Sequence, residues 1–155
     1  MEEEKESSHT DLFNFEVSLQ ELLGRAIKTE LEEAEVYRNL HEKYLPETTK
    51  ATIERFVVQE EEHEEKLRST FDDFFPGEEI PLPERSGIEL PENISEKTTP
   101  KEIIKKAIEG ERDAEEFYRE LRDEFEDKEV RRLLGFLASN EREHYEILRV
   151  ELNKL

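Results

Sequence analysis

"EEEHEEKLR", residues 60–68, and "EREHYEILR", residues 141–149, lie 81 positions apart and share a Glu-x-x-His pair followed by Leu-Arg. Each stands in a run of charged residues of the kind that usually forms a solvated helix face. Helical phase separates two classes of residue within them. Glu60 follows Phe56 and Val57 by four and three residues, and His63 precedes Leu67 by four. Glu141 follows Leu137 and Ala138 in the same way, and His144 precedes Leu148 by four. Residues three and four apart share a helix face, so both Glu-x-x-His pairs turn toward the apolar side. Glu61, Glu62 and Glu65 are left on the solvated side, with Glu62 placed to pair with Lys66.

The same shift of 81 aligns the two halves of the chain without a gap. "AIKTELEEAEVYRNLHEKY" (26–44) falls on "AIEGERDAEEFYRELRDEF" (107–125), and Glu21-Leu22-Leu23 on Glu102-Ile103-Ile104. Outward positions mostly differ between the halves. Those that agree are the apolar line and a small polar set: Glu30 with Glu111, Tyr37 with Tyr118, Glu60 with Glu141, His63 with His144. Glu30 sits among Ala26, Ile27 and Tyr37, and Glu111 sits between Ile108 and Tyr118, so these glutamates face inward as well.

Four segments carry helical periodicity. The first runs from about Asn14 to Leu45 through Leu19, Leu23, Ala26, Ile27, Ala34, Tyr37, Leu40 and Tyr44, and Pro46 stops it. The second, from Glu47 to Phe75, is lined by Ile53, Phe56, Val57, Leu67, Phe71 and Phe74. Thr99, Pro100 and Glu102 open the third as N-cap, first helical residue and first-turn acid. The fourth starts near Asp127 and carries Val130, Leu134, Leu137, Ala138, Leu148 and Leu152. Residues 76–99, rich in proline and without helical period, read as a long crossover along the bundle rather than a tight turn. The expected architecture is all-α: an antiparallel four-helix bundle of two pseudo-symmetric hairpins, 14–75 and 100–154, joined by that crossover. Residues 1–13 are expected to form a flexible tail ahead of a single domain spanning 14–155.

Composition narrows the function. Of 155 residues 43% are charged and 34% hydrophobic, with a net charge of −20, which disfavours nucleic acid and anionic membranes as partners. No cysteine is present, which excludes disulfides, zinc–thiolate sites, iron–sulfur clusters and thiol catalysis within these residues. "MEEEKESSHT" has no apolar stretch behind it, so no leader peptide is expected, and no run has the length of a membrane span. The expectation is a soluble, cytoplasmic protein.

Cost decides what the inward polar residues do. An unpaired buried carboxylate costs several kcal/mol, and four converging carboxylates repel one another as well. Neighbours such as Glu60–Glu64 and Glu61–Glu65 are like-charged at i, i+4 and give no relief. Two divalent cations would neutralise four carboxylates, and two imidazoles would add neutral nitrogen donors. A lone glutamate on an apolar face, or a lone Glu-x-x-His, ordinarily marks a helix end or a snorkelling side chain. Here the order Glu, Glu-x-x-His occurs twice, in phase, with 30 residues from first to second glutamate in both halves. Mixed carboxylate and imidazole donors suit iron or manganese better than calcium or structural zinc.

These six residues in this order resemble the ferritin-like di-iron carboxylate superfamily. Within it, "ELEEAEVYRNL", "ERDAEEFYREL", "FVVQEEEHEEKL" and "FLASNEREHYEIL" are similar to the helices of the rubrerythrin family over residues 20–153. The resemblance implies two irons per chain, replaceable by manganese or zinc, held by Glu30, Glu60, His63, Glu111, Glu141 and His144. It also implies a peroxidase-type oxidoreductase that oxidises the ferrous pair with hydrogen peroxide or dioxygen, in a homodimer or larger assembly. Tyr37 and Tyr118 become phenols that hydrogen-bond ligand carboxylates, although both also read as ordinary core aromatics. Two departures stand out. Full-length rubrerythrins carry a cysteine-bound rubredoxin iron, so electrons here must come from an external rubredoxin- or ferredoxin-like donor. Many also carry a seventh, mobile carboxylate three residues after the helix-three glutamate, where this chain has Ala114. Glu115 is adjacent, and Glu33 holds the equivalent place on helix one, either as an extra carboxylate or at the solvated edge. His9 in the tail and His41, whose counterpart is Arg122, read as surface residues.

Two other functions are compatible with the pattern. Bacterioferritins share the ligand order and oxidise iron for storage, but the haem-ligating methionine is missing, since the sole Met is residue 1, and no fifth helix is expected after Leu155. A non-catalytic, metal-binding scaffold is the third.

Overall fold

The computed structural model describes residues 8–155, with side chains from Leu19 onward. Four helices follow in order: α1 (Ser8–His41), α2 (Glu47–Phe74), α3 (Pro100–Glu124) and α4 (Lys128–Leu152). The start of α1 lies ahead of the expected Asn14. The expected tail, 1–13, falls on residues that are outside the description or described without side chains, His9 among them. α1 ends at His41, short of Leu45, because a residue preceding proline is pushed out of helical backbone. The chain tightens there through Lys43 N–H to Leu40 O at 3.0 Å, then extends into Pro46. In consequence Leu45 drops into the core while Tyr44, placed on the apolar line by its phase, stands 98% exposed.

The later helix ends follow their local signals. Thr99 accepts from the Glu102 N–H at 3.2 Å, and the Glu102 carboxylate accepts from the Thr99 N–H at 3.1 Å, a reciprocal capping box ahead of Pro100. Asp127 caps α4 by accepting from the N–H groups of Glu129 and Val130, each at 3.0 Å.

All neighbouring helices are antiparallel. Tyr37 meets Glu111 while Glu30 meets Tyr118, so α1 and α3 run opposite ways. Thr49 and Thr52 meet Glu151 while Gln59 meets His144, so α2 and α4 do as well. The crossover makes this possible by travelling the length of α1. Gln20 donates to Glu78, Arg25 Nε donates to the Ser86 carbonyl at 2.5 Å, and Lys43 Nζ donates to the Ser95 carbonyl at 2.5 Å.

Two apolar layers fill the interior. One gathers Leu23, Ile27, Leu67, Phe71, Tyr118, Leu121 and Leu134; the other gathers Tyr37, Leu40, Ile53, Phe56, Ile103, Ile104 and Leu148. On every helix the inward glutamates and histidines fall between these layers. Each fully buried Leu, Ile or Phe contributes about 1.5–3 kcal/mol, and this apolar burial offsets the cost of a charged belt at mid-height. Among the described residues no helix is long and apolar enough to cross a membrane.

Two helical glycines exist because of the crossover. The Pro81 carbonyl abuts Gly24, and a Cβ on Gly110 would lie 2.5 Å from the Glu89 carbonyl oxygen and 2.9 Å from Leu90 Cδ2. Alanine is favoured over glycine by about 1 kcal/mol in a helix interior, yet Gly110→Ala is expected to destabilise the fold by about 1–3 kcal/mol through overpacking. Urea unfolding followed by circular dichroism reads this directly. A stabilised variant would show that the crossover is not pressed against α3 at that point.

Candidate metal centre

The structure brings together all six inward residues from four helices. Glu30, Glu60, His63 and Glu141 offer donor atoms within 4.8 Å of one another, as do Glu60, Glu111 and His144. A third group, Glu33 with Glu111 and Glu141, meets the same limit. Glu60, Glu111 and Glu141 therefore each belong to two groups. All of these side chains are buried.

Glu33 departs from the solvated-edge reading. It is 2% exposed, and both of its carboxylate oxygens are buried without a hydrogen-bond partner. On its own helix it lies well off the centre of the apolar stripe, but α3 and α4 close over that flank and bring it to Glu111 and Glu141. Ala114 fills the equivalent place on α3, and Glu115 points away to Arg119, at 2.7 Å. The five carboxyls of this cluster, unlike the buried Glu151 that pairs with Lys154, meet no lysine or arginine ion pair among the described residues; the basic side chains beside them are the imidazoles.

The imidazoles are oriented. His144 Nε2–H donates to Gln59 Oε1 at 2.7 Å, which fixes the tautomer and turns Nδ1 toward Glu60 Oε1 at 3.0 Å and Glu111 Oε1 at 3.5 Å. His63 Nδ1 lies 3.4 Å from Glu30 Oε2. Phe56 stacks on the His144 ring with centroids 3.9 Å apart. Both phenols reach carboxylates across the pseudo-twofold: Tyr37 O–H donates to Glu111 Oε1, and Tyr118 O–H donates to Glu30 Oε1 at 2.8 Å. Each leaves the second oxygen of its glutamate, Oε2, without a partner. His41 matches its surface reading, half exposed with Glu54 at 3.8 Å.

Without cations the cluster is electrostatically strained. Burial, reinforced by the charges of Glu141, Glu111 and Glu30, holds the Glu33 carboxyl well above its ordinary 4.5. Glu60 is raised likewise by burial and then by Glu30, and Glu141 by burial and then by Glu111 and Glu60. Burial pushes Glu111 up too, but His144 beside it and the bond from Tyr37 bring it below the ordinary value. Tyr37 and Tyr118 are raised by burial and by the adjacent carboxylates Glu111 and Glu30, so both stay phenols.

The donor set fits a pair of cations. Glu30 Oε2, Glu111 Oε2, both oxygens of Glu33, Glu60 and Glu141, and Nδ1 of both histidines are buried with no hydrogen-bond partner. Orphaned atoms of this kind are rare in a folded interior, and here they converge.

Sequence reasoning leaves one residue open and misses another. Glu33 reads either as an extra carboxylate or at the solvated edge, and the structure places it with the carboxylates; Gln59 is not singled out at all. One signal for the latter was available: the 81-residue shift pairs Gln59 with Asn140, an amide directly before each inward glutamate.

Two helices with a single glutamate and two with Glu-x-x-His, around one buried axis, define a ferritin-like carboxylate bundle. The chain belongs to the rubrerythrin family, whose model matches residues 21–152. It is 35% identical to a hypothetical protein from Pyrococcus furiosus, whose solved structure superposes with a TM-score of 0.79 over 87% of this chain and 88% of that one. An uncharacterised protein of Archaeoglobus fulgidus is 52% identical over 50 residues, 32% of this chain and 78% of that one.

Proposed function

We propose that Glu30, Glu60, His63, Glu111, Glu141 and His144 hold two transition-metal ions, iron foremost, and that the protein reduces hydrogen peroxide or dioxygen there. The observation that carries this reading is the convergence of buried, unpartnered carboxylate oxygens and imidazole nitrogens between two apolar layers. Carboxylate and imidazole without thiolate suit iron and manganese, with zinc able to substitute. When bound, a ferrous pair supplies the two electrons that, with two protons, convert hydrogen peroxide to two waters.

The chain's own residues supply orientation and exclusion. Tyr37 and Tyr118 occupy one oxygen each of Glu111 and Glu30 and aim the other inward. Gln59 holds the His144 proton on Nε2 and so keeps Nδ1 free as a donor. Glu33 adds a fifth carboxylate on the side of Glu111 and Glu141. The apolar layers above and below keep bulk water from the belt. Since these residues include no cysteine, the electrons return from a separate rubredoxin- or ferredoxin-like carrier, and self-association as a dimer or larger assembly belongs to the same reading.

The test is to load metal-free protein with ferrous iron anaerobically, count bound iron, and mix with hydrogen peroxide or air-saturated buffer in a stopped-flow instrument. Two irons per chain and faster oxidation by peroxide than by dioxygen are expected. Retention of fewer than two irons, or no oxidation by peroxide, sinks the reading. Uptake far beyond two irons would instead indicate storage.

A further inference from the structure

The two imidazoles lie on the flank where α2 and α4 meet, and this flank is built differently from the opposite one. On the α1–α3 side the crossover forms a roof, with the Pro81 carbonyl against Gly24, the Glu89 carbonyl against Gly110, and Ile88 and Leu90 packed into the apolar layers. α2 and α4 have fewer close backbone approaches than α1 and α3, so side chains close their seam.

The two ends of that seam are closed by different means. At His144 the closure is the hydrogen bond from Nε2–H to Gln59. At His63 it is one aromatic ring: Phe136 stands edge-on to the imidazole, centroids 5.6 Å apart and planes at 86°. Phe136 is 43% exposed, whereas His63 behind it is 3% exposed. The Lys66 ammonium lies 4.5 Å from the ring centroid, rather than in the ion pair with Glu62 that spacing suggests. One turn further along α4, Asn140 Oδ1 is buried without a partner, an acceptor for an entering O–H. The 81-residue shift does not reproduce this end, because Arg55 stands where Phe136 would be and Ile147 where Lys66 would be.

We propose that Phe136 is the gate through which small uncharged solutes, hydrogen peroxide foremost, reach the centre on the His63 side. A partly exposed ring with no hydrogen bond to hold it changes rotamer within nanoseconds, and turning it outward uncovers His63. Charge sets the selectivity: the chain's net charge of −20 disfavours anions, and Lys66 at the mouth repels cations. The proposal rests on the metal-pair reading above.

Nitric oxide is a suitable probe, being small, uncharged and visible in the absorption spectrum on meeting ferrous iron. Its association rate is measured by stopped-flow on anaerobic, ferrous-loaded protein, with iron content and circular dichroism checked for each variant. Phe136→Ala should raise the rate several-fold and Phe136→Trp should lower it, with two irons per chain retained in both. Arg55→Ala, at the other end of the seam, should leave the rate unchanged. Equal rates across both Phe136 variants and wild type overturn the gate, as does acceleration by Arg55→Ala in place of Phe136→Ala. Should Phe136→Ala not fold, the slowing by Phe136→Trp decides alone. Wild-type protein that binds no iron would overturn the metal-pair reading and the gate together, which separates that failure from a failure of the gate.

Discussion

Glu60→Ala is expected to leave the chain with fewer than one tightly held metal ion, while His63→Ala retains about one. The difference follows from membership. Glu60 contributes to both the group with Glu30, His63 and Glu141 and the group with Glu111 and His144, whereas His63 contributes to the first alone. Substitution of residues that merely support a ligand costs about 10–100-fold in metal affinity or activity. Loss of a carboxylate shared by two sites should therefore slow oxidation of added ferrous iron by more than about 100-fold. The metal-free fold should not suffer. Burial and then the charges of Glu30 and Glu33 raise the pKa of the Glu60 carboxyl, so its removal relieves a desolvation and repulsion cost wherever it would ionise. Iron counting after gel filtration, with urea unfolding of the stripped proteins alongside, reads both effects. Two retained ions in Glu60→Ala would refute the shared-ligand assignment. A collapse of the metal-free variant would mean that Glu60 serves the fold rather than a metal.

Metal removal has the second large effect, and it carries a pH signature. Glu33, Glu60 and Glu141 keep their protons in the folded, metal-free chain to pH values well above the ordinary 4.5 of the unfolded chain. Their contribution to stability is thus fully present below about pH 4.5 and declines as pH rises toward their folded values. Glu111, lowered by His144 and Tyr37, contributes in the opposite sense, with stability present above the ordinary value and lost below it. Three groups outweigh one, so chelator-treated protein should be more easily unfolded by urea at pH 8 than at pH 5. Metal binding requires the same carboxyls to lose their protons, so its stabilisation grows with pH. Manganese(II) at about a thousandfold excess over its pH 8 dissociation constant adds roughly 4 kcal/mol per ion there, and the same concentration adds less at pH 5, where binding is weaker, so manganese should stabilise the protein more at pH 8 than at pH 5. Equal stability of the stripped protein at both pH values, with no response to manganese, would argue against a cation-binding belt.

How far the sequence carries can be judged residue by residue. Glu30, Glu60, His63, Glu111, Glu141 and His144 were legible because each lies at the centre of its helix's apolar stripe. The centre faces the axis however the helices are tilted. Tyr37 and Tyr118 were legible as buried rings, but their O–H bonds to Glu111 and Glu30 depend on the antiparallel crossing of α1 and α3. Tyr44 was misplaced although the local rule was at hand: Pro46 ends helical phase before Leu45 and exchanges which of the two is buried.

Glu33 marks the boundary between what is local and what is not. Phase states the direction a side chain takes from its own helix, and a residue at the margin of the stripe is buried or solvated according to how far the neighbouring helices close over it. Sequence alone determined the four helices, their caps, the duplication and the inward donors, because all of these follow from a 3.6-residue period and from chemistry within one turn. The tertiary structure alone decided that Glu33 joins the cluster, that Gln59 meets His144, that Phe136 stands edge-on to His63, and that Gly24 and Gly110 admit the crossover. Each of these depends on the spacing between helices and the path of a loop, and no single helix encodes either.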